Sequence, residues 1–144
     1  MVITIPFKIL AIDGEGYHLL VKVSVNGKTA KLIIDTGASK TVFDTTRVAK
    51  YIKDTNFGTH DKLSTGLGTS SMKSYSTILK KIRIGTLEIK NYNAVLIDLS
   101  HVNNSYGQVG IEPVEGVLGS DILVQYKAVI DYEKKVLKMK YKKR

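Results

Sequence analysis

The sequence predicts a mainly β protein with one or two short helices, on three observations. Tyr17, Leu19, Val21, Val23 and Val25 alternate with more polar neighbours and run into Asn26-Gly27, a strong two-residue hairpin signal. Leu137, Met139 and Tyr141 alternate with Lys138, Lys140 and Lys142, the period of a strand with one dry and one wet face. Helical spacing is confined to two short stretches, residues 44–53 and 120–126.

Taken in order, Val2 to Ile12 is a strand broken near Pro6. Tyr17 to Val25 and Thr29 to Ile34 form a hairpin around Asn26-Gly27, and Thr41-Val42-Phe43 is a short strand. Asp44 caps a helix running to about Lys53, with Val48 and Ile52 on one face. Lys62-Leu63 and Tyr75 to Leu79 have strand character and flank the glycine-rich Thr65-Gly66-Leu67-Gly68-Thr69-Ser70-Ser71, which reads as a hairpin tip. Lys81 to Lys90 is two strand pieces around Gly85-Thr86, and Ala94 to Leu99 is an apolar run. Ser100 to Gly116, rich in Asn, Gly and Ser, reads as a loop. Val117-Leu118-Gly119 is a strand leading into a helix with Ser120 as N-cap, Asp121 in its first turn and Ile122, Leu123 and Tyr126 on its apolar side. Ala128 to Asp131 and Val136 to Tyr141 close the chain as a hairpin around Glu133-Lys134.

Length and composition narrow the function. A chain of 144 residues with 43% hydrophobic content is expected to form a single domain over residues 1–144. The absence of cysteine removes disulfides and thiolate metal sites. His18, His60 and His101 are scattered, and no His-Glu-x-x-His spacing occurs, so no metal is expected. Lys28-Thr29 lacks the first glycine of a phosphate loop, and Gly66-Leu67-Gly68 lacks the third glycine of a dinucleotide loop. Asp13-Gly14-Glu15-Gly16 has the wrong spacing for a calcium loop, and no Gly-x-Ser-x-Gly elbow is present. No cofactor is expected. The net charge of +9 owes much to seven basic residues after Glu133. Their alternation with apolar residues reads as the wet face of a strand or a guarded sheet edge, so nucleic acid is not an expected partner. No segment is long and apolar enough to span a membrane, and no secretory leader is seen, which makes a cytoplasmic location the default expectation.

The chemistry gathers at Leu32-Ile33-Ile34-Asp35-Thr36-Gly37-Ala38-Ser39. Apolar residues carry a carboxylate to the end of a buried strand and onto a tight turn. A buried carboxylate is costly unless hydrogen-bonded, paired with a charge, or sharing a proton, and the nearest downstream cation, Lys40, lies beyond the turn. The bland alternative is an ordinary turn, since Asp and Gly are common turn residues. The order of features argues otherwise: an acid turn, then a glycine hairpin, then two apolar residues and a glycine before a helix.

In that order the chain resembles the retropepsin-like aspartic proteases, of cellular or bacterial rather than viral type, over roughly Tyr17 to Tyr141. The resemblance implies a closed β-barrel-like acid-protease fold with Asp35 as the catalytic acid. Thr36, Gly37 and Ala38 would form its supporting turn, and Thr36 would reach across to a partner turn. Ser39 would lie in the substrate groove, Gly66, Leu67 and Gly68 in a flap over the substrate, and Val117, Leu118 and Gly119 behind the active turn. Only one Asp-Thr-Gly occurs, so the resemblance implies a homodimer in which each chain donates one acid, with a peptide or protein as substrate. Ala38 stands where pepsin-type enzymes carry a hydroxyl, as in retroviral enzymes, and this implies activity extending toward neutral pH. Ser39 departs from the Asp of retroviral enzymes. Met1–Leu10 and Val136–Tyr141 would either interleave with a partner or leave a lysine-guarded edge. The competing reading is a non-catalytic module of the same fold that binds peptides or dimerises.

Overall fold

The computed structural model describes residues 1–53, 58–59 and 74–142. The predicted glycine hairpin tip, with Gly66, Leu67 and Gly68, lies outside the described residues. Eleven strands, two α-helices and one 3-10 helix make up the described chain.

The strands are β1 (Val2–Pro6), β2 (Lys8–Ala11), β3 (Tyr17–Val25), β4 (Lys28–Ile34), β5 (Val42–Asp44), β6 (Gly58–Thr59), β7 (Tyr75–Ile84), β8 (Leu87–Ile97), β9 (Gly116–Leu118), β10 (Val129–Asp131) and β11 (Val136–Lys140). The 3-10 helix covers Arg47–Tyr51, α1 covers Ser100–Gln108 and α2 covers Ser120–Gln125. The larger sheet runs β2-β3-β4-β9-β5-β8-β7-β6, and β3 also pairs with β7 through Ser24↔Arg83 and Val25↔Ile82. That last pairing closes β3, β4, β9, β5, β8 and β7 into a six-stranded barrel. Alternation explains its filling. Leu19, Val21, Val23 and Val25 of β3 point inward with Leu32 and Ile34 of β4, and they meet Phe43, Leu79, Ile82, Ile84, Leu96 and Leu118 from the remaining strands.

The Asn26-Gly27 hairpin forms as expected, with φ of 49° and 86° at the two residues, the left-handed pair that matches strand twist. The Asn26 side chain holds the junction by accepting from the Lys81 amide at 3.1 Å and donating to the Tyr51 carbonyl at 2.9 Å. Pro6 ends β1 and lets the chain leave one sheet for the other.

Four expectations need correction. Residues 100–108 are helix, not loop. Asn and Gly are poor helix formers, but burial of Tyr106 and partial burial of Val102 pin one face of α1 to the barrel. The helix expected over residues 44–53 shrinks to the 3-10 turn Arg47–Tyr51, with Ile52 already extended. Its N-cap is Thr46 rather than Asp44, although Asp44 Oδ2 accepts from the Arg47 amide at 2.8 Å. At α2 the N-cap is Gly119, and Ser120 is the first helical residue. The lysine-bearing C-terminal strand is not an edge. β11 lies between β1 and β10, with Val2↔Lys140 through Pro6↔Val136 on one side and Val129↔Lys138 through Asp131↔Val136 on the other. Its alternation buries Leu137 and Met139 completely. No helix among the described residues is long and apolar enough to cross a membrane.

Candidate active site

Asp35 sits where β4 ends. Its amide donates to the Leu118 carbonyl at 3.0 Å, so the backbone under the acid is held by β9. The chain leaves along β4, turns through residues 35–41 and returns as β5. β9 arrives from far along the sequence and threads between the two, parallel to β4 through Ile33↔Val117 and antiparallel to β5 through Val42↔Val117. The acid turn thus projects from a three-strand base that no local stretch of sequence could build.

Within the turn the Gly37 amide donates to Asp35 Oδ1 at 2.9 Å, and the Ala38 amide donates to the Asp35 carbonyl at 3.2 Å. A Cβ at residue 37 would stand 3.3 Å from that carboxylate oxygen, so glycine leaves the acid uncrowded. Thr36, Gly37 and Ser39 are exposed, while Asp35 and Ala38 are half-buried. Among the described residues no cation pairs with Asp35 and no donor reaches its Oδ2. The carboxylate is supported from one side and open on the other.

The rear of the turn is tied down by Gly119 and Asp121. A Cβ at Gly119 would lie 2.6 Å from the Lys40 carbonyl carbon and 2.9 Å from the Ala38 oxygen, so only glycine admits this approach. The Ser120 amide donates to the Ala38 carbonyl at 2.7 Å. Fully buried Thr41 gives its hydroxyl proton to Asp121 Oδ1 at 2.8 Å while its Oγ1 accepts from the Gly119 amide at 2.9 Å. Asp121 Oδ1 also accepts from the Thr41 amide at 2.8 Å, and its Oδ2 accepts from the Tyr92 hydroxyl at 2.5 Å. Burial, then the bond to Asp121, pushes the Tyr92 hydroxyl far above the ordinary tyrosine value, so it stays a donor. Lys40 stands 3.8 Å from Asp121 Oδ2 and over the Tyr92 ring.

Val117 and Leu118 of β9 and the following Gly119 lie beside the end of β4 that carries Asp35. Sequence reasoning missed Thr41 and Tyr92 as parts of the support. Their signal is weak: each is a polar residue beside an apolar stretch, and only the tertiary partner Asp121 gives them meaning. Gly119→Ala is expected to lower stability by about 1–3 kcal/mol through overpacking and to cut activity by shifting the Ala38–Lys40 backbone. Chemical denaturation and peptide turnover check both, and an unperturbed, fully active variant contradicts the close approach.

The sequence profile of the aspartyl protease family matches residues 21–122, which takes in the acid turn, both strands beside it and the strand threaded behind it. The chain belongs to the aspartyl protease family. As a family member it is a hydrolase. Two solved structures share the fold. A retropepsin-like aspartic protease from Rickettsia conorii superposes with a TM-score of 0.60 at 23% identity, over 96% of this chain and 90% of that one. The retroviral protease-like domain of Ddi1 from Leishmania major superposes with a TM-score of 0.57 at 13% identity, over 85% of this chain and 87% of that one. No curated protein matches. The residues described above are therefore those of an aspartyl protease scaffold, with one Asp-Thr-Gly turn per chain.

Proposed function

We propose that this aspartyl protease is an endopeptidase that works as a homodimer, with Asp35 of each subunit forming one catalytic dyad. The observation that carries the reading is the half-open Asp35 carboxylate. It ends a rigid strand, is held at Oδ1 by the Gly37 amide, and has no charge partner among the described residues. A second carboxylate on a twofold-related turn completes it. Two such acids share one proton: one takes a proton from the water between them, and the other protonates the substrate carbonyl. Attack by water is direct, with no acyl-enzyme and no cofactor. Their titration belongs to the pair.

Thr36 and Gly37 orient the acid, and Thr36, exposed beside it, is available to the partner turn. Ser39 and the segment around Gly66, Leu67 and Gly68 border and cover an extended peptide, which binds through backbone hydrogen bonds as an added strand. The terminal sheet β1-β11-β10 is formed within one chain.

The test is turnover of a peptide library across pH. Cleavage with a bell-shaped profile extending toward neutral pH supports a shared dyad without a hydroxyl at Ala38. Binding without any cleavage points to the non-catalytic module, and a profile confined to strongly acidic pH contradicts the part assigned to Ala38.

A further inference from the structure

The β3–β4 register ends at Leu19↔Ile34. One step further, His18 comes opposite Asp35. Alternation puts His18 on the face of Leu20 and Asp35 on the face of Ile33. Leu20 and Ile33 pack in one apolar cluster with Leu10, Val114 and Tyr106. That cluster is the floor of the surface beside the acid, and α1, which sequence reasoning missed, supplies its roof.

From α1, buried Tyr106 points its hydroxyl at His18, with 2.6 Å between Oη and Nδ1. Burial, together with the negative charge of Asp35, pushes that hydroxyl up to about 12. It therefore keeps its proton, and with that hydroxyl as donor to Nδ1 the ring proton sits on Nε2. The imidazole itself is exposed, so Nε2–H is presented outward as a donor.

The same sheet face continues into a basic surface. Lys8 pairs with Leu20 and Lys22 with Lys31, so all three lysines share the His18 side. Glu112, ion-paired with Lys31 and held below the ordinary carboxylate range by that lysine, then by Lys22 and Lys8, meets them from the segment after α1. With Asp35 and Tyr106, these are the titratable groups on the His18 side of β2, β3 and β4 and the segment around α1, three lysines against two carboxylates.

We propose that His18 is a specificity-determining residue whose Nε2–H, aimed by Tyr106, binds the carboxylate of an acidic substrate side chain seated beside Asp35. Tyr106 is the positioning residue. The proposal rests on the peptidase reading above and names a substrate class for it.

The test compares cleavage-site preferences of the parent, His18→Leu, His18→Gln and Tyr106→Phe on a peptide library. The same peptides, with Glu or Leu at the selected position, are also bound to the Asp35→Asn protein with and without His18→Leu. The parent is expected to enrich Asp or Glu at one subsite flanking the cut. His18→Leu lowers that enrichment about tenfold, as loss of one charge-assisted hydrogen bond does. His18→Gln, which keeps an outward donor, restores part of it. Tyr106→Phe gives a partial loss seen in KM rather than kcat. Cleavage with a profile unchanged by His18→Leu overturns the role of His18 and leaves the peptidase standing. Acid-selective binding without turnover sustains His18 and removes the peptidase. Absence of acid preference in both assays overturns the proposal.

Discussion

Asp35→Asn is expected to lower peptide hydrolysis by about 10³-fold or more while leaving the fold intact, since removing a general acid–base costs on that order. Asparagine fills the same volume and keeps an oxygen for the Gly37 amide, whose 2.9 Å bond is the one that sets the side chain within its own turn. What it cannot do is carry the proton that the proposed pair of acids shares. The strand beneath is held by backbone bonds, Asp35 to Leu118 and Ser120 to Ala38, which the substitution does not touch. Melting temperature and turnover should therefore separate cleanly. A variant that hydrolyses peptides at the parent rate would remove Asp35 from the chemistry.

Glu115→Ala carries the largest expected stability loss. This residue, 3% exposed, joins four pieces of chain. Its Oε1 accepts from the Lys31 amide of β4 at 2.8 Å, its Oε2 from Arg47 at 2.8 Å and 2.9 Å, and Lys50 approaches at 3.3 Å. Its carbonyl takes the Asp44 amide at 2.8 Å. Truncation leaves a buried amide unpaired and opens space at the start of β9. Breaking a buried pair costs roughly 3–5 kcal/mol, and about 3 is expected here because Arg47 and Lys50 still reach water. Burial alone would raise the Glu115 carboxyl. The Lys31 amide, Arg47 and Lys50 outweigh that and hold it below its ordinary value of 4.5. Its contribution is therefore fully present above that value and is lost as pH falls through the lower folded one. Urea denaturation across pH should show this loss in the parent and a flatter curve in Glu115→Gln. Equal acid sensitivity of the two would contradict the assigned role.

The parts of this protein legible in its sequence are those encoded by local pattern. Period-two alternation gave β3 and β11, Asn26-Gly27 gave the turn that returns the chain as β4, and an apolar run into Asp35 gave the acid. The pairings were not legible. β9 reads as three apolar-to-small residues, and nothing in them says that they pass between β4 and β5. Thr41, Tyr92 and Asp121 are far apart in the chain and become one support only after that threading. α1 failed for a related reason: its Asn and Gly residues disfavour helix, and the burial of Tyr106 that overrides them is a tertiary fact. The lysines of β11 fit either the wet face of a strand or a guarded edge; they line the wet face of a central strand, because alternation reports which side is dry and not which neighbours are present.

Shared catalysis by two subunits is most directly measured by mixing. Parent and Asp35→Asn chains are equilibrated at fixed total concentration, and activity is followed against the parent fraction. If one acid from each subunit makes each site, mixed dimers are inactive and activity falls as the square of that fraction, to about a quarter when half the chains are parent. A linear fall, with half the activity remaining at equal mixing, would show that one Asp35 suffices and would contradict the shared dyad.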